Sequence, residues 1–121
     1  MYKVLIVDDS LYMRTVIRDI LEEESDYDIV GEAGNGEQAI ELAKEHQPDI
    51  ITLDNVLPDM MGLDILKELN DLGVESKVIM ISAVGQRTMV EKGKELGAVE
   101  YIVKPFESID LINAINNVMN P

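Results

Sequence analysis

Three acids and one lysine share one feature in this sequence: each stands at the end of a short apolar run. They are Asp8 and Asp9 after VLIV, Asp54 after IITL, and Lys104 after YIV. Continuous apolar runs are typical of parallel strands that are buried on both faces. Ligands of such sheets bind beyond the carboxyl ends of the strands. We therefore expect the four charged side chains to converge on one spot.

The residue types at this spot predict its chemistry. Carboxylates without a partner repel one another, which favours the binding of a hard cation such as Mg2+. A lysine beside such a cation offers a compact positive charge to phosphoryl oxygens. The sequence therefore predicts a metal-assisted phosphate site.

The elements that position these residues are short apolar runs alternating with amphipathic stretches. Strands are predicted at residues 3–7, 29–33, 50–53, 78–81 and 101–103. The clearest helix carries an apolar stripe with helical spacing at Met13, Val16, Ile17, Ile20 and Leu21. Weaker stripes at residues 39–43, 65–72, 89–96 and 111–119 predict four more helices. Five strand-then-helix units indicate an α/β fold, a doubly wound parallel sheet with helices on both faces.

The composition narrows the class of protein. The length of 121 residues fits one domain, and the hydrophobic content of 46% is enough for an ordinary core. A formal net charge of −14 argues against nucleic acid or an anionic membrane surface as a direct partner. The absence of Cys excludes thiol chemistry and fits the cytosol. No apolar segment is long enough to span a membrane, and the early first strand leaves no room for a signal peptide. These features predict a cytoplasmic protein.

Four segments resemble the receiver domains of two-component response regulators. In chain order they are VLIVDDS, TLDNVLPDMMG, VIMISA and YIVKPF. The resemblance implies a flavodoxin-like sheet of five parallel strands in the order 2-1-3-4-5, as in flavodoxin and CheY, with five helices. It also implies a single receiver domain over residues 1–121 without an output domain.

The resemblance assigns the chemistry of the acids. Asp54 would be the phosphoacceptor, a carboxylate nucleophile that attacks a phosphohistidine or a small phosphodonor to give an acyl phosphate. Asp8 and Asp9 would hold Mg2+, one directly and one through water. Asp54 and the backbone carbonyl of Val56 would complete the protein ligands.

The resemblance also assigns the groups around the phosphoryl group. Lys104 and the Ser82 hydroxyl would contact its oxygens, and the Ala83 backbone N–H would add a donor. The Lys104–Pro105 peptide bond would be cis. Tyr101 would change rotamer when the Ser82 hydroxyl moves toward the phosphoryl group, and this would form the switch.

Three features depart from the pattern of the family. Asn55 is polar where an apolar residue commonly follows the phosphoacceptor, and Met61 replaces an Asp before the loop glycine. Val56 and Val84 occupy positions whose side chains help to set the lifetime of the acyl phosphate. The sequence therefore leaves the rate of dephosphorylation open.

The segment VDDSLYMR is similar to chemotaxis receivers of the CheY and CheB kinds, and no esterase domain accompanies it. This resemblance implies a monomeric signalling switch, not an enzyme beyond its own phosphorylation and dephosphorylation. A histidine kinase of the CheA type would phosphorylate it. Its output partner would be the motor switch protein FliM in bacteria or a motor adaptor protein in archaea.

Two alternatives stay open. The first is a phosphorelay intermediate that passes its phosphoryl group to a histidine phosphotransfer protein. The second is a Mg2+-dependent aspartyl phosphohydrolase, although such enzymes carry a D-x-D arrangement on the first strand. Here that strand ends in the adjacent pair Asp8-Asp9.

Overall fold

The computed structural model describes residues 1–83 and 85–120, which form strands and helices in strict alternation. The strands are β1 (Tyr2–Val7), β2 (Tyr27–Ala33), β3 (Ile50–Leu53), β4 (Lys77–Ser82) and β5 (Glu100–Val103). The helices are α1 (Leu11–Glu22), α2 (Gly36–His46), α3 (Gly62–Asp71), α4 (Arg87–Glu95) and α5 (Ser108–Met119). Every predicted strand is present. β2 begins two residues earlier than predicted because Tyr27 and Asp28 pair with the start of β1.

The five strands form one parallel sheet in the order β2-β1-β3-β4-β5. The predicted fold class and strand order are therefore confirmed. Val7 pairs with Leu53, and Ser82 pairs with Val103. Because β1, β3, β4 and β5 end at the same edge, the residues that follow them lie at that edge.

Helices cover both faces of the sheet. Side chains alternate between the faces of a strand, so Leu5 and Val7 of β1 join one apolar cluster while Val4 and Ile6 join another. The first cluster is closed by α2 and α3, and the second by α1 and α5. Within residues 1–83 and 85–120, no helix has the length and apolar character needed to cross a membrane.

Candidate functional site

Asp8 lies directly after β1, is 1% exposed, and has a partner at each of its polar groups. Its backbone N–H donates to the Ala33 carbonyl at 3.0 Å, and its own carbonyl accepts from Arg14 Nη1 at 2.6 Å. One carboxylate oxygen accepts from the Ser10 N–H at 2.9 Å, and the other accepts from Lys104 Nζ at 2.6 Å. These four bonds fix both the backbone and the carboxylate of Asp8.

Asp54 follows β3 and is 7% exposed. Its N–H donates to the Val7 carbonyl at 3.0 Å, which joins the end of β3 to the end of β1. Burial raises the pKa of the Asp54 carboxyl; the positive charge of Lys104 opposes the rise, and the negative charge of Asp8 adds to it. The carboxylate is therefore a buried anion whose charge Lys104 offsets only in part, and a cation bound beside it would offset more of that charge.

The structure brings the three predicted acids together. Asp8, Asp9 and Asp54 each offer a carboxylate oxygen, and these oxygens lie within 4.8 Å of one another. Asp9 is exposed whereas the other two are buried, so the group is open to solvent on one side. Few carboxylates with room for retained water suit Mg2+. The donor set, together with the raised pKa of Asp54, fits that ion.

Lys104 lies between two of these acids. Its Nζ is 2.6 Å from Asp8 Oδ2 and 3.5 Å from Asp54 Oδ2. Its backbone N–H donates to the Ser82 carbonyl at 2.9 Å, and its peptide bond with Pro105 is cis, the geometry that the resemblance implies. The stronger contact of the ammonium group is thus with Asp8, a partner that the sequence analysis did not anticipate.

Ser82 and Tyr101 lie on the same face of adjacent strands. Tyr101 pairs with Met80, and Ser82 is two residues further along β4, so the side chains of all three point to one face. Ser82 is fully buried, whereas Tyr101 is half-buried and packs against the cluster closed by α2 and α3. Its ring lies beside Gly93 of α4, where an added Cβ would be 3.4 Å from Cδ2. Ala83 is exposed directly after β4.

The loop after Asp54 is held against the start of α3. The Gly62 N–H donates to the Asn55 carbonyl at 2.6 Å, and the Leu63 N–H donates to Asn55 Oδ1 at 3.3 Å. A Cβ at Gly62 would lie 2.5 Å from the Asp54 carbonyl oxygen, so this position requires glycine. The polar residue that follows Asp54 therefore has a structural reason: the Asn55 side chain accepts a backbone N–H at the first turn of α3.

The resemblance gives Val56 and Val84 a part in setting the lifetime of the acyl phosphate, and the structure describes the first of them. Val56 is 50% exposed at the mouth of the site, and its N–H donates to Asp54 Oδ1 at 3.4 Å. Val84 lies outside the described residues. Met61 is 39% exposed, and its backbone pairs with Val56 across the loop.

Asp59 binds the start of α2, a contact that the sequence did not predict. Its carboxylate accepts from the N–H groups of Gly36 and Glu37, at 2.7 and 3.0 Å, at the start of α2. These bonds, the one from Gly36 first, lower the pKa of the Asp59 carboxyl. Acids favour helix N-termini, but the sequence gives no sign that a residue 23 positions away supplies one here.

An arginine and a glutamate beside the site were also missed. Arg14 of α1 donates from Nε to Glu32 of β2 at 3.1 Å, while its Nη1 reaches the Asp8 carbonyl. Their separation of 18 positions in the chain carries no periodic signal. Only the packing of α1 beside β2 brings them together.

The comparison with protein families matches residues 4–116 to the response regulator receiver domain. The chain belongs to this family. It is a CheY-like receiver domain, and the class to which it belongs acts as a phosphorylation-activated signalling switch. The predicted resemblance is therefore confirmed.

Particular relatives support this assignment over nearly the whole chain. The chemotaxis protein CheY of Bacillus subtilis (strain 168) is 43% identical over 119 residues, which cover 98% of each chain. The chemotaxis protein CheY of Thermotoga maritima is 42% identical over 116 residues, 96% of each chain. A chain in the solved CheX-CheY-BeF3-Mg complex of Borrelia burgdorferi superposes with a TM-score of 0.95 at 33% identity, covering 99% of this chain and 90% of that one.

Proposed function

We propose that this protein is a chemotaxis response regulator that accepts a phosphoryl group on Asp54 with Mg2+ bound beside it. The observation that carries the proposal is the buried Asp54 carboxylate, which lies within reach of two further acids and of Lys104. A buried carboxylate at an open cluster of acids is suited to nucleophilic attack on phosphorus.

The reaction follows from the atoms at the site. An Asp54 carboxylate oxygen attacks the phosphorus of a phosphohistidine or of a small phosphodonor. The bond from phosphorus to the donor atom breaks, and its electron pair leaves with the donor. The product is an acyl phosphate on Asp54, whose added negative charge must be stabilised by positive groups.

Mg2+, held by Asp8, Asp9, Asp54 and the Val56 carbonyl, would neutralise charge on the phosphoryl oxygens and orient them for in-line transfer. The solved CheX-CheY complex of Borrelia burgdorferi contains BeF3 and Mg2+. That chemistry supports the same pairing of a phosphoryl mimic and a cation here.

Three groups of the protein would contact the transferred phosphoryl group. Lys104, now bonded to Asp8, is the cation nearest to Asp54 in the site described above. Ser82 ends the neighbouring strand β4 and would donate its hydroxyl, and Ala83, the next residue, would donate its backbone N–H. A compact ammonium group and two neutral donors suit phosphoryl oxygens.

The output of the switch would leave the site through Ser82 and Tyr101. Because both side chains lie on one face of adjacent strands, movement of the hydroxyl toward the phosphoryl group would free space for the ring. A charge added at the strand ends acts remotely only through such a two-state element. The surface formed by α4, β5 and α5 would then change its affinity for a partner.

The likeness to chemotaxis proteins supports the choice of partners. In the cytoplasm, where we expect this protein to act, a histidine kinase of the CheA type would supply the phosphoryl group. The phosphorylated monomer, acting as a single receiver domain, would bind FliM in a bacterium or a motor adaptor protein in an archaeon.

The experiment that tests this proposal is phosphotransfer from a purified, autophosphorylated CheA-type kinase. With Mg2+, the label should move rapidly from kinase to wild type and should not move to Asp54→Asn. Glu75→Gln, which alters an exposed acid outside the site, should behave as wild type. Kinase that keeps its label in the presence of the wild type contradicts the chemotaxis proposal. Onward transfer to a histidine phosphotransfer protein, without binding to a motor component, would identify a relay intermediate instead.

A further inference from the structure

Arg14 joins three elements beside the acidic site. From the first turn of α1 it donates Nη1 to the Asp8 carbonyl at 2.6 Å and Nε to the Glu32 carboxylate at 3.1 Å. The Arg14 side chain is 18% exposed and that of Glu32 is 25% exposed. A half-buried, charge-assisted bond is screened less by solvent than a surface pair. Glu32 therefore fixes the plane of the guanidinium group while another nitrogen holds Asp8.

The neighbouring backbone leaves room for this arrangement. A Cβ on Gly34, in the turn after β2, would lie 3.2 Å from Arg14 Nη1. A contact that short would make the guanidinium group shift by a few tenths of an ångström. Glycine at this position thus leaves the group in the place from which it bonds to the end of β1.

We propose that Arg14 is a positioning residue for the cation site: it fixes the Asp8 backbone so that the carboxylate keeps its orientation when Lys104 leaves it. This inference rests on the proposed function. In the structure, the Asp8 carboxylate is held by Ser10 and Lys104. When Lys104 turns to a phosphoryl group, the carboxylate loses one of these two bonds. The backbone bonds to Ala33 and Arg14 then keep Asp8 in place.

Arg18 provides a matched control within the same cluster. It lies one turn further along α1 and donates to the other oxygen of Glu32, with Nη2 at 2.6 Å, and to Glu22 at 3.1 Å. Arg14 and Arg18 thus share a carboxylate partner and a charge. The bond to the Asp8 carbonyl distinguishes Arg14.

The test compares Arg14→Gln, Arg14→Lys and Arg18→Gln with wild type. Mg2+ affinity is measured by calorimetry, and melting temperature is measured without metal. In the metal-free proteins, the Asp8 carbonyl carbon and Asp9 amide nitrogen resonances report the bond to the Asp8 carbonyl. Loss of a residue that orients a metal ligand typically weakens metal binding by 10- to 100-fold. We expect about tenfold weaker Mg2+ binding in Arg14→Gln, with both resonances moved.

Arg18→Gln should keep the wild-type Mg2+ affinity and resonances, although it also removes an ion pair to Glu32. Arg14→Lys, which retains the charge but not the planar fork, should fall between wild type and Arg14→Gln. Equal Mg2+ affinities in Arg14→Gln and Arg18→Gln would overturn the positioning role alone. A wild type that does not bind Mg2+ would overturn the proposed function and this inference together.

Discussion

The ammonium group of Lys104 is hydrogen-bonded to Asp8, with Nζ 2.6 Å from Oδ2. Its distance to the nearer oxygen of Asp54 is 3.5 Å. The lysine thus neutralises one member of the acid cluster before a phosphoryl group arrives. Phosphorylation of Asp54 would require this ammonium group to exchange Asp8 for a phosphoryl oxygen, while the cation takes over part of the charge of Asp8.

Removal of the Lys104 charge should strengthen the binding of Mg2+ to the unphosphorylated protein. The lysine and the cation compete for the charge of Asp8, so Lys104→Met should bind Mg2+ more tightly, by on the order of 1 kcal/mol. Calorimetric titration measures the affinity. Lys77→Met, an exposed lysine at the opposite edge of the sheet, serves as control. Equal or weaker Mg2+ binding in Lys104→Met would show that the lysine does not oppose the cation.

Asp8 and Asp9 should differ in their effect on metal-free stability, although both contribute to the acid cluster. Asp8→Ala removes the nearer carboxylate partner of the half-buried Lys104 ammonium group, which keeps only its 3.5 Å contact with Asp54, and it leaves the Ser10 N–H without its acceptor. Such a loss costs about 1–3 kcal/mol. Asp9→Ala removes an exposed acid and relieves repulsion, so its stability should equal or exceed that of wild type. Urea unfolding in EDTA measures both variants; a larger loss in Asp9→Ala would contradict the role of Asp8.

Much of the fold is predictable because its signals are local. Residues 50–53 form β3 with the predicted bounds, since Pro48 and Asp49 precede a run that is apolar except for Thr52, and Asp54 follows it. The start of β2 was missed because Asp28 is exposed and breaks the apolar pattern. That residue pairs through its backbone with Lys3, a contact to which its side chain gives no clue.

The site is predictable in part for a related reason. The convergence of Asp8 and Asp54 follows from strand ends that share one edge. Lys104 bonds to Asp8 in preference to Asp54 because its Nζ lies 2.6 Å from the first carboxylate and 3.5 Å from the second, a difference that depends on exact side-chain positions. The bond from Arg14 to Asp8 depends on how α1 is rotated against β2. Neither quantity is encoded in the spacing of residue types.

Asp59 should contribute stability that depends on pH. Its pKa in the folded protein is lowered from 3.8, chiefly by the Gly36 N–H. A lowered pKa means that the ionised carboxylate stabilises the fold above 3.8 and that this contribution is lost as the pH falls through the folded value. Asp59→Asn should therefore melt below wild type at neutral pH and approach it in acid.

Thermal melts of wild type and Asp59→Asn from neutral to acid pH measure this difference in stability. Asp28→Asn, a change at an exposed acid of β2, controls for the loss of one negative charge. A melting difference between Asp59→Asn and wild type that stays constant from neutral to acid pH would contradict the role of the ionised carboxylate.

Ser82 should couple the phosphoryl group to Tyr101. In Ser82→Ala the phosphoryl mimic beryllofluoride should still bind at Asp54, but the Tyr101 ring resonances should shift far less than in wild type. Thr52→Val is the control: it changes another buried hydroxyl-bearing residue, but on the strand β3. Equal ring shifts in wild type and Ser82→Ala would mean that the signal leaves the site by another route.

The identity of the phosphorylated residue tests the central claim most directly. The protein is incubated with acetyl phosphate and Mg2+, reduced with borohydride, and mapped by peptide mass spectrometry. Reduction converts an aspartyl phosphate to homoserine, so the modified residue is marked permanently. We predict homoserine at position 54 and no such mark at positions 8 or 9. Homoserine at position 8 or 9, or an unmodified Asp54 in a sample that retains bound phosphate, would contradict the account.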